Sequence, residues 1–211
     1  MSGIITDNQG RSSGLVKAAT AAARHDLLYE ANFSDVAQID VDGYYTSSYV
    51  DYIYELEFQN ASTADFLVRR YWDDSGQTEY TSADYNSYVH YIAKYPATST
   101  VSHSAGVENN QTRFELNHCY QVTGTDNYTK RMTFTDINPQ NIGLITDGDS
   151  YRLCKSEMLY YSAGGDSYYA KTDGMHYNQT DSKEWTGLKF YMSTGNITGK
   201  IKLFGVVTAA Y

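Results

Sequence analysis

Large apolar and polar side chains alternate along DYIYELEFQ, residues 51–59, and this alternation predicts the fold class. One face of the stretch carries large apolar side chains, those of Tyr52, Tyr54, Leu56 and Phe58. The opposite face carries polar side chains, those of Asp51, Glu55, Glu57 and Gln59. A period of two with one apolar face is typical of a half-buried strand in an antiparallel sheet. We therefore predict a strand that packs on the core by one face.

Two pairs of neighbouring apolar runs are interpreted as hairpins. Polar residues 60–64 separate the first stretch from a second apolar run, residues 66–72. Near the C-terminal end, a turn at residues 193–199 separates two further alternating runs. The apolar residues of these runs are predicted to face the core, and they are Leu188, Phe190, Met192, Ile201 and Leu203.

The remaining strands complete an all-β pattern. They are predicted at residues 88–93, 114–122, 131–135, 157–161 and 168–172. The last two flank a Gly-containing turn at residues 163–166 and are interpreted as a hairpin. About eight short strands without a long helical pattern predict an antiparallel sandwich, a jelly roll or a barrel.

The first segment, residues 1–33, differs from the rest of the chain. Ser and Gly are frequent at residues 7–14, Ala is frequent at residues 18–23, and no strand alternation is present. Ser13 as an N-cap and the strong helix propensity of Ala favour a short helix. Because Ala offers little area to bury, an extended arm shaped by a partner fits equally well. We predict an arm or short helix at 1–33 and a sandwich domain at 34–211.

Composition excludes several classes of protein. A chain of 211 residues suits one domain, and 22 tyrosines favour β-structure and subunit contacts. A net charge of −9, with no basic cluster longer than Arg69-Arg70, argues against nucleic-acid binding. No apolar run has the length of a membrane span, and Met1 is followed by a polar, acid-containing stretch. We expect a protein made and assembled inside a cell.

Candidate chemical sites are weak. Glu55 and Glu57 lie roughly 7 Å apart on one strand face, as paired glycosidase carboxylates do, but a solvated outer face is favoured. Asp147 and Asp149 resemble part of a calcium loop that lacks its other ligands, so a surface turn is favoured. The only cysteines, Cys119 and Cys154, form no closely spaced ligand set, although a single disulfide between them stays open. We predict no enzyme, metal or cofactor.

Other ligands are weighed on His and Tyr residues. The histidines show no metal-binding spacing, and His118 is predicted to lie in the core. Two Tyr-containing segments, residues 84–88 and 166–169, are predicted to be loops. Their aromatic side chains suit either a glycan or a subunit contact, and they are Tyr85, Tyr88, Tyr168 and Tyr169.

Both ends of the chain resemble tail, fibre or decoration proteins of tailed bacteriophages, particularly marine phages. The first matching segment is MSGIITDNQGRSSGLVKA, residues 1–18. The closing segments are WTGLKFY, residues 185–191, and GNITGKIKLFGV, residues 195–206. The chain departs from this pattern at Phe204, where tyrosine is usual, and by continuing through residues 207–211.

The resemblance implies a virion structural protein assembled in the host cytoplasm. Proteins of this type are usually trimers or other multimers, with an N-terminal anchor followed by a jelly-roll-type sandwich. Their partners are other virion proteins of the head or tail, which sets the expectation for this chain. We hypothesise that the anchoring residues are Gly10, Arg11, Gly14 and Leu15. The alternative is a receptor-binding module for host-surface glycans.

Overall fold

The protein is an all-β antiparallel sandwich, as predicted. The computed structural model describes residues 24–72, 78–95, 98–119, 130–137, 150–161, 165–178 and 185–207. These residues form thirteen strands: β1 (Arg24–Val36), β2 (Gln38–Asp42), β3 (Asp51–Asn60), β4 (Ala64–Trp72), β5 (Thr78–Glu79), β6 (Tyr85–Tyr95), β7 (Thr100–Gln111), β8 (Phe114–Cys119), β9 (Lys130–Ile137), β10 (Ser150–Tyr161), β11 (Ser167–Asn178), β12 (Trp185–Met192) and β13 (Ile197–Val207). The jelly-roll-like character stays a prediction.

The strands form two sheets of unequal size. The larger, eight-stranded sheet has the order β1-β13-β3-β9-β10-β11-β6-β7. The smaller, five-stranded sheet has the order β2-β12-β4-β5, and β8 pairs with β4. The edges of the larger sheet are therefore β1 and β7.

The core lies between the two sheets, and the predicted inner face of β3 forms its centre. Tyr52, Tyr54, Leu56 and Phe58 are all buried, so the alternation in this strand is confirmed. The Phe58 ring stacks on Phe66 of the smaller sheet with 4.7 Å between ring centroids. Aromatic side chains thus join the sheets face to face.

The two hairpins predicted for β3–β4 and for β12–β13 are wrong in their strand pairing, but the predicted inward faces of these strands are buried. β3 pairs with β13 and β9, whereas β4 pairs with β12, β5 and β8. β12 pairs with β2 and β4, whereas β13 pairs with β1 and β3. Each connection therefore crosses from one sheet to the other. Alternation identifies the face of a strand that packs on the core. It is the same whether two successive strands pair as a hairpin or lie in opposite sheets, so it does not predict the pairing.

The predicted N-terminal boundary also needs correction. Residues 24–33 belong to β1, which spans 13 residues and pairs with β13. Because β1 is an edge strand with many exposed residues, its apolar alternation is weak in the sequence. Residues 1–23 lie outside the described residues.

Other strand predictions fare better. β10 and β11 form the predicted hairpin, with Tyr160 opposite Tyr168 and Gly165 at φ +81°. Phe114 and Leu116 of β8 are buried as expected, while the side chain of His118 lies outside the described part of the chain. Besides β1, the strands that the sequence did not predict are β2, β5 and β7, which are short or exposed on both faces.

The closing GNITG segment has a specific structural role. Gly195 has φ +80°, a conformation that favours glycine. The Asn196 side chain donates to the Asp35 carbonyl at 3.2 Å and to its carboxylate at 3.0 Å. The Asp35 amide in turn donates to Thr198 Oγ1 at 2.8 Å. This turn therefore ties β13 to an irregular end of β1.

Candidate binding face

The outward surface of β10, β11, β6 and β7 exposes an unusual number of large apolar side chains. We call this surface the exposed face. Its exposed apolar residues are Tyr88, Ile92, Val101, Val107, Leu153, Leu159, Tyr161 and Met175. Inner positions of the same strands, such as Met158 and Ala170, are buried in the core. β10 therefore has apolar side chains on both of its faces.

Strand register makes the exposed face continuous. Leu159 of β10 lies opposite Tyr169 of β11, which lies opposite Ile92 of β6. Leu153 lies opposite Met175 on the same face. Directly opposite residues on neighbouring strands are close enough to contact one another. The apolar side chains thus form rows across the sheet instead of isolated points.

Charged residues on the exposed face are arranged in complementary pairs. Lys155 lies opposite Asp173, and Glu157 lies opposite Lys171. Lys171 Nζ also approaches Asp173 Oδ2 at 3.5 Å. Because opposite charges neighbour one another, the face does not present a single sign of charge to a partner.

A shallow groove runs over one end of the exposed face. Its volume is about 410 Å³. The large apolar side chains that line it are those of Tyr88, Val107, Ile137, Leu153 and Met175. Asp173, Lys155 and Asn109 contribute polar groups to its lining. This mixture suits a protein side chain or another largely apolar group.

A second groove, of about 250 Å³, contains the predicted carboxylate pair. Glu55 and Glu57 line it together with Glu157, Arg131 and Tyr169. A hydrogen bond from Lys200 lowers the pKa of Glu57, with Lys200 Nζ 3.0 Å from the carboxylate. A general acid in glycoside hydrolysis needs a raised pKa, so the Glu57 shift has the opposite direction.

Tyr169 is the aromatic member of this second groove. Burial and the adjacent Glu157 carboxylate raise the pKa of its hydroxyl above the ordinary value. The hydroxyl therefore stays protonated at neutral pH and can donate a hydrogen bond. Tyr169 thus combines an apolar ring with a polar edge on the exposed face.

The four predicted contact tyrosines divide between the exposed face and the core. Tyr88 is 46% exposed, and Tyr169 lies on the same outward face. Tyr85 and Tyr168 are buried, so their prediction as contact residues is wrong. All four belong to strands β6 and β11, and inward and outward positions alternate along a strand.

The buried tyrosines make specific core contacts. Tyr85 donates its hydroxyl to the Tyr80 carbonyl at 3.0 Å and accepts from the Arg70 amide at 3.1 Å. Tyr168 stacks on Tyr160 with ring centroids 4.7 Å apart. Both rings therefore contribute to stability and are closed to a ligand.

Several predicted site residues lie outside the described residues. They are the anchoring candidates Gly10, Arg11, Gly14 and Leu15, and the turn residues Asp147 and Asp149. Among the residues that are described, no group of three or more His, Cys, Asp or Glu side chains is placed to hold a metal ion. The same residues include no helix long and apolar enough to cross a membrane.

Cys154 is a free thiol buried between the sheets. Burial raises its pKa, which keeps the sulfur in the unreactive thiol form. The disulfide to Cys119 that the sequence left open is therefore not formed at Cys154.

Sequence reasoning missed most of the exposed face, including Leu153, Leu159 and Met175. The available signal was the presence of apolar residues at both odd and even positions of residues 153–161. Such a run exceeds what one buried face requires.

Comparisons with known proteins leave the family open. No protein-family model matches the chain. No curated protein sequence matches it either.

Proposed function

We propose that the chain is a structural subunit of a tailed-bacteriophage particle that assembles as a multimer and docks by its N-terminal segment. The exposed face is the observation that carries this proposal. Its rows of apolar side chains lie on the outward surface of the sandwich that the described residues form, away from the core between the sheets. Contiguous exposed apolar surface of this kind marks contacts with other proteins.

The composition of the face favours a protein partner. Tyr88 and Tyr161 offer flat apolar area together with hydroxyl groups, as aromatic residues at protein interfaces do. The paired charges around them give no attraction for a phosphate backbone, and the net charge of −9 opposes one. A second subunit or a neighbouring particle protein fits this chemistry best.

The resemblance of the chain ends supports the particle as the setting. The matching N-terminal residues 1–18 precede β1, which begins at Arg24. We assign them the docking role, with Arg11 and Leu15 as contacts and Gly10 and Gly14 allowing close backbone approach. Their small side chains favour ordering by a partner over independent folding.

Antibody labelling of purified particles tests the proposal. An antibody against the sandwich should label each particle at fixed positions on the head or the tail in negative-stain images. Mass spectrometry of the same particles should detect the chain at a constant ratio to the major capsid protein. Particles that contain no copy of the chain would contradict a structural role.

A second candidate function is binding of a host-surface glycan. The specific observation is the groove where Tyr169 lies beside the carboxylates of Glu157, Glu55 and Glu57. Aromatic rings stack on sugar faces, and carboxylates accept hydrogen bonds from sugar hydroxyls. A glycan array should give a saturable signal that Tyr169→Ala removes and Leu27→Ala, on the far edge strand, retains. Equal signals from both variants would reject this groove as the site.

A further inference from the structure

The two edges of the larger sheet differ in their protection against pairing with another strand. β1 contains two register shifts in its pairing with β13, and Asp35 near its end has φ +54°. β1 also carries charged side chains, those of Arg24, Asp26, Glu30 and Asp35. Charges and bulges are the features that keep edge strands from pairing with other chains.

β7 has less of this protection. Its one register shift in the pairing with β6 lies at its C-terminal end, between Glu108 and Gln111, where Asn110 has φ +54°. Its 12-residue sequence TVSHSAGVENNQ contains no lysine, arginine or proline, and Glu108 is its single acidic residue. It pairs without a register shift from Val107, opposite Tyr88, to Thr100, opposite Tyr95. Among the described strands, β6 is the one partner of β7. Residues 100–108 therefore form a regular, nearly uncharged edge, which is a template for another strand.

β7 also projects beyond the sandwich on both faces. Val101 and Val107 are 61% and 60% exposed, the highest fractions among the exposed large apolar side chains of the described residues. On the opposite face, a Cβ added to Gly106 would meet no atom within 4 Å. Neither face of β7 is therefore covered by the smaller sheet.

We propose that β7 pairs antiparallel with β7 of a second copy of this chain, which joins two larger sheets into one continuous sheet. This inference names a second copy of the chain as the partner at the β7 edge of the exposed face and, in that respect, rests on the proposed function. The backbone groups of β7 supply the hydrogen bonds, as in other cases of strand addition to a sheet edge.

Symmetry and side-chain chemistry fix the register. In an antiparallel pair, directly opposite residues have their side chains on the same face of the sheet. When the two strands are related by a two-fold axis, the axis must therefore pass between the two copies of one residue. Centring on Ser104 places Val101 opposite Val107 of the partner subunit, which brings both exposed valines into cross-strand contact. In this register Glu108 lies opposite Thr100 of the partner subunit, so that no like charges meet.

This arrangement is favoured over pairing of β7 with β1 of another copy. The bulges and charges of β1 would interrupt a regular ladder of hydrogen bonds. Two copies of β7, in contrast, have equal length and few charged side chains. Isologous pairing also closes on itself, so it yields a dimer instead of an open filament.

A charge-swap pair of variants tests the register. V101K/V107K places two lysines opposite each other, and V101K/V107E places a lysine opposite a glutamate. The first should raise the dimer dissociation constant at least about tenfold, because like charges directly opposite destabilise a strand pair. The second should keep the dimer. Leu27→Lys, an exposed apolar position on β1, is the matched control and should keep it as well.

The measurement is mass in solution by sedimentation over a wide range of concentration, with circular dichroism to compare folding. Hydrogen exchange of the unmodified chain adds a second readout, since amides of residues 100–111 should gain protection as concentration rises. Three outcomes overturn the proposal: an unmodified chain that stays monomeric, one that forms trimers, or a V101K/V107K variant that dimerises normally. These results leave the particle-labelling test of the proposed function unaffected.

Discussion

Arg70 of the smaller sheet and Asp136 of the larger sheet form a fully buried ion pair joined by two hydrogen bonds, each 2.5 Å long. Burial alone would lower the pKa of Arg70, but the Asp136 carboxylate more than offsets this effect and raises it. Tyr45 donates a further hydrogen bond of 2.7 Å to Asp136. The pair therefore links β4 and β9 through the middle of the core.

Removal of one partner should be costly. Asp136→Ala leaves the Arg70 charge buried without its carboxylate, and we expect a loss of about 3 to 5 kcal/mol in the free energy of unfolding. Urea denaturation measures this loss. The double variant R70M/D136L should recover much of it, because no charge is then buried. If Asp136→Ala is as stable as the parent chain, the ion pair does not stabilise the fold.

The inward face of β13 gives a second prediction. Leu203 is buried, and Leu203→Ala should cost about 2 to 5 kcal/mol through lost burial and a cavity. Lys200 points outward toward Glu57 in a partly exposed ion pair. Lys200→Ala should therefore change the melting temperature little. Equal losses of stability in Leu203→Ala and Lys200→Ala would show that the register assigned to β13 is wrong.

Gly174 faces a crowded part of the core. A Cβ built there would lie 2.6 Å from Cys154 Sγ and 2.9 Å from a ring atom of Phe114. Gly174→Ala should destabilise the protein by about 1 to 3 kcal/mol through overpacking. Cys154→Ala in the same chain should relieve part of that loss because it removes the sulfur. If Gly174→Ala and the double variant G174A/C154A unfold at the same urea concentration, crowding against Cys154 does not cause the loss.

The outer face of the smaller sheet predicts a specific acid sensitivity. Burial alone would raise the pKa of Glu79, but hydrogen bonds from Lys189 at 2.6 Å and Arg69 at 2.8 Å lower it. A lowered pKa in the folded state adds stability above the ordinary value of 4.5, and this stability is lost as the pH falls through the folded pKa.

Glu79→Gln should therefore be less stable than the parent chain at neutral pH and lose less further stability on acidification. Thermal unfolding at a series of pH values between about 7 and 3 measures the difference. A constant gap between the two proteins over the whole series would show that the Glu79 charge does not stabilise the fold.

The sequence predicted the fold class and most buried faces, because apolar alternation reports directly on burial. It placed Tyr54 and Leu203 in the core correctly. It did not predict that β3 and β4 lie in different sheets, since a core between two sheets gives both strands the same pattern. It also missed β7, whose exposed sequence has no apolar face to detect.

The candidate site was predictable only in part. Tyr88 and Tyr169 were identified as contact residues by composition, and both lie on the exposed face. Tyr85 was assigned to the same role because a short Tyr-containing segment resembles a loop, whereas the structure makes it an inward strand position. The charge complementarity of Lys155 with Asp173 depends on register between strands and has no local signal.

Truncation of the chain tests docking by the N-terminal segment most directly. Deletion of residues 1–23 removes the proposed anchor and leaves β1 intact from Arg24. Deletion of residues 1–33 removes most of β1 as well, so it should lower the melting temperature strongly and serves as the comparison for loss of folding. The measurement is the amount of each chain in purified particles, relative to the unmodified chain. We predict that the chain lacking residues 1–23 folds normally and is absent from particles; its incorporation at the level of the unmodified chain would contradict the account.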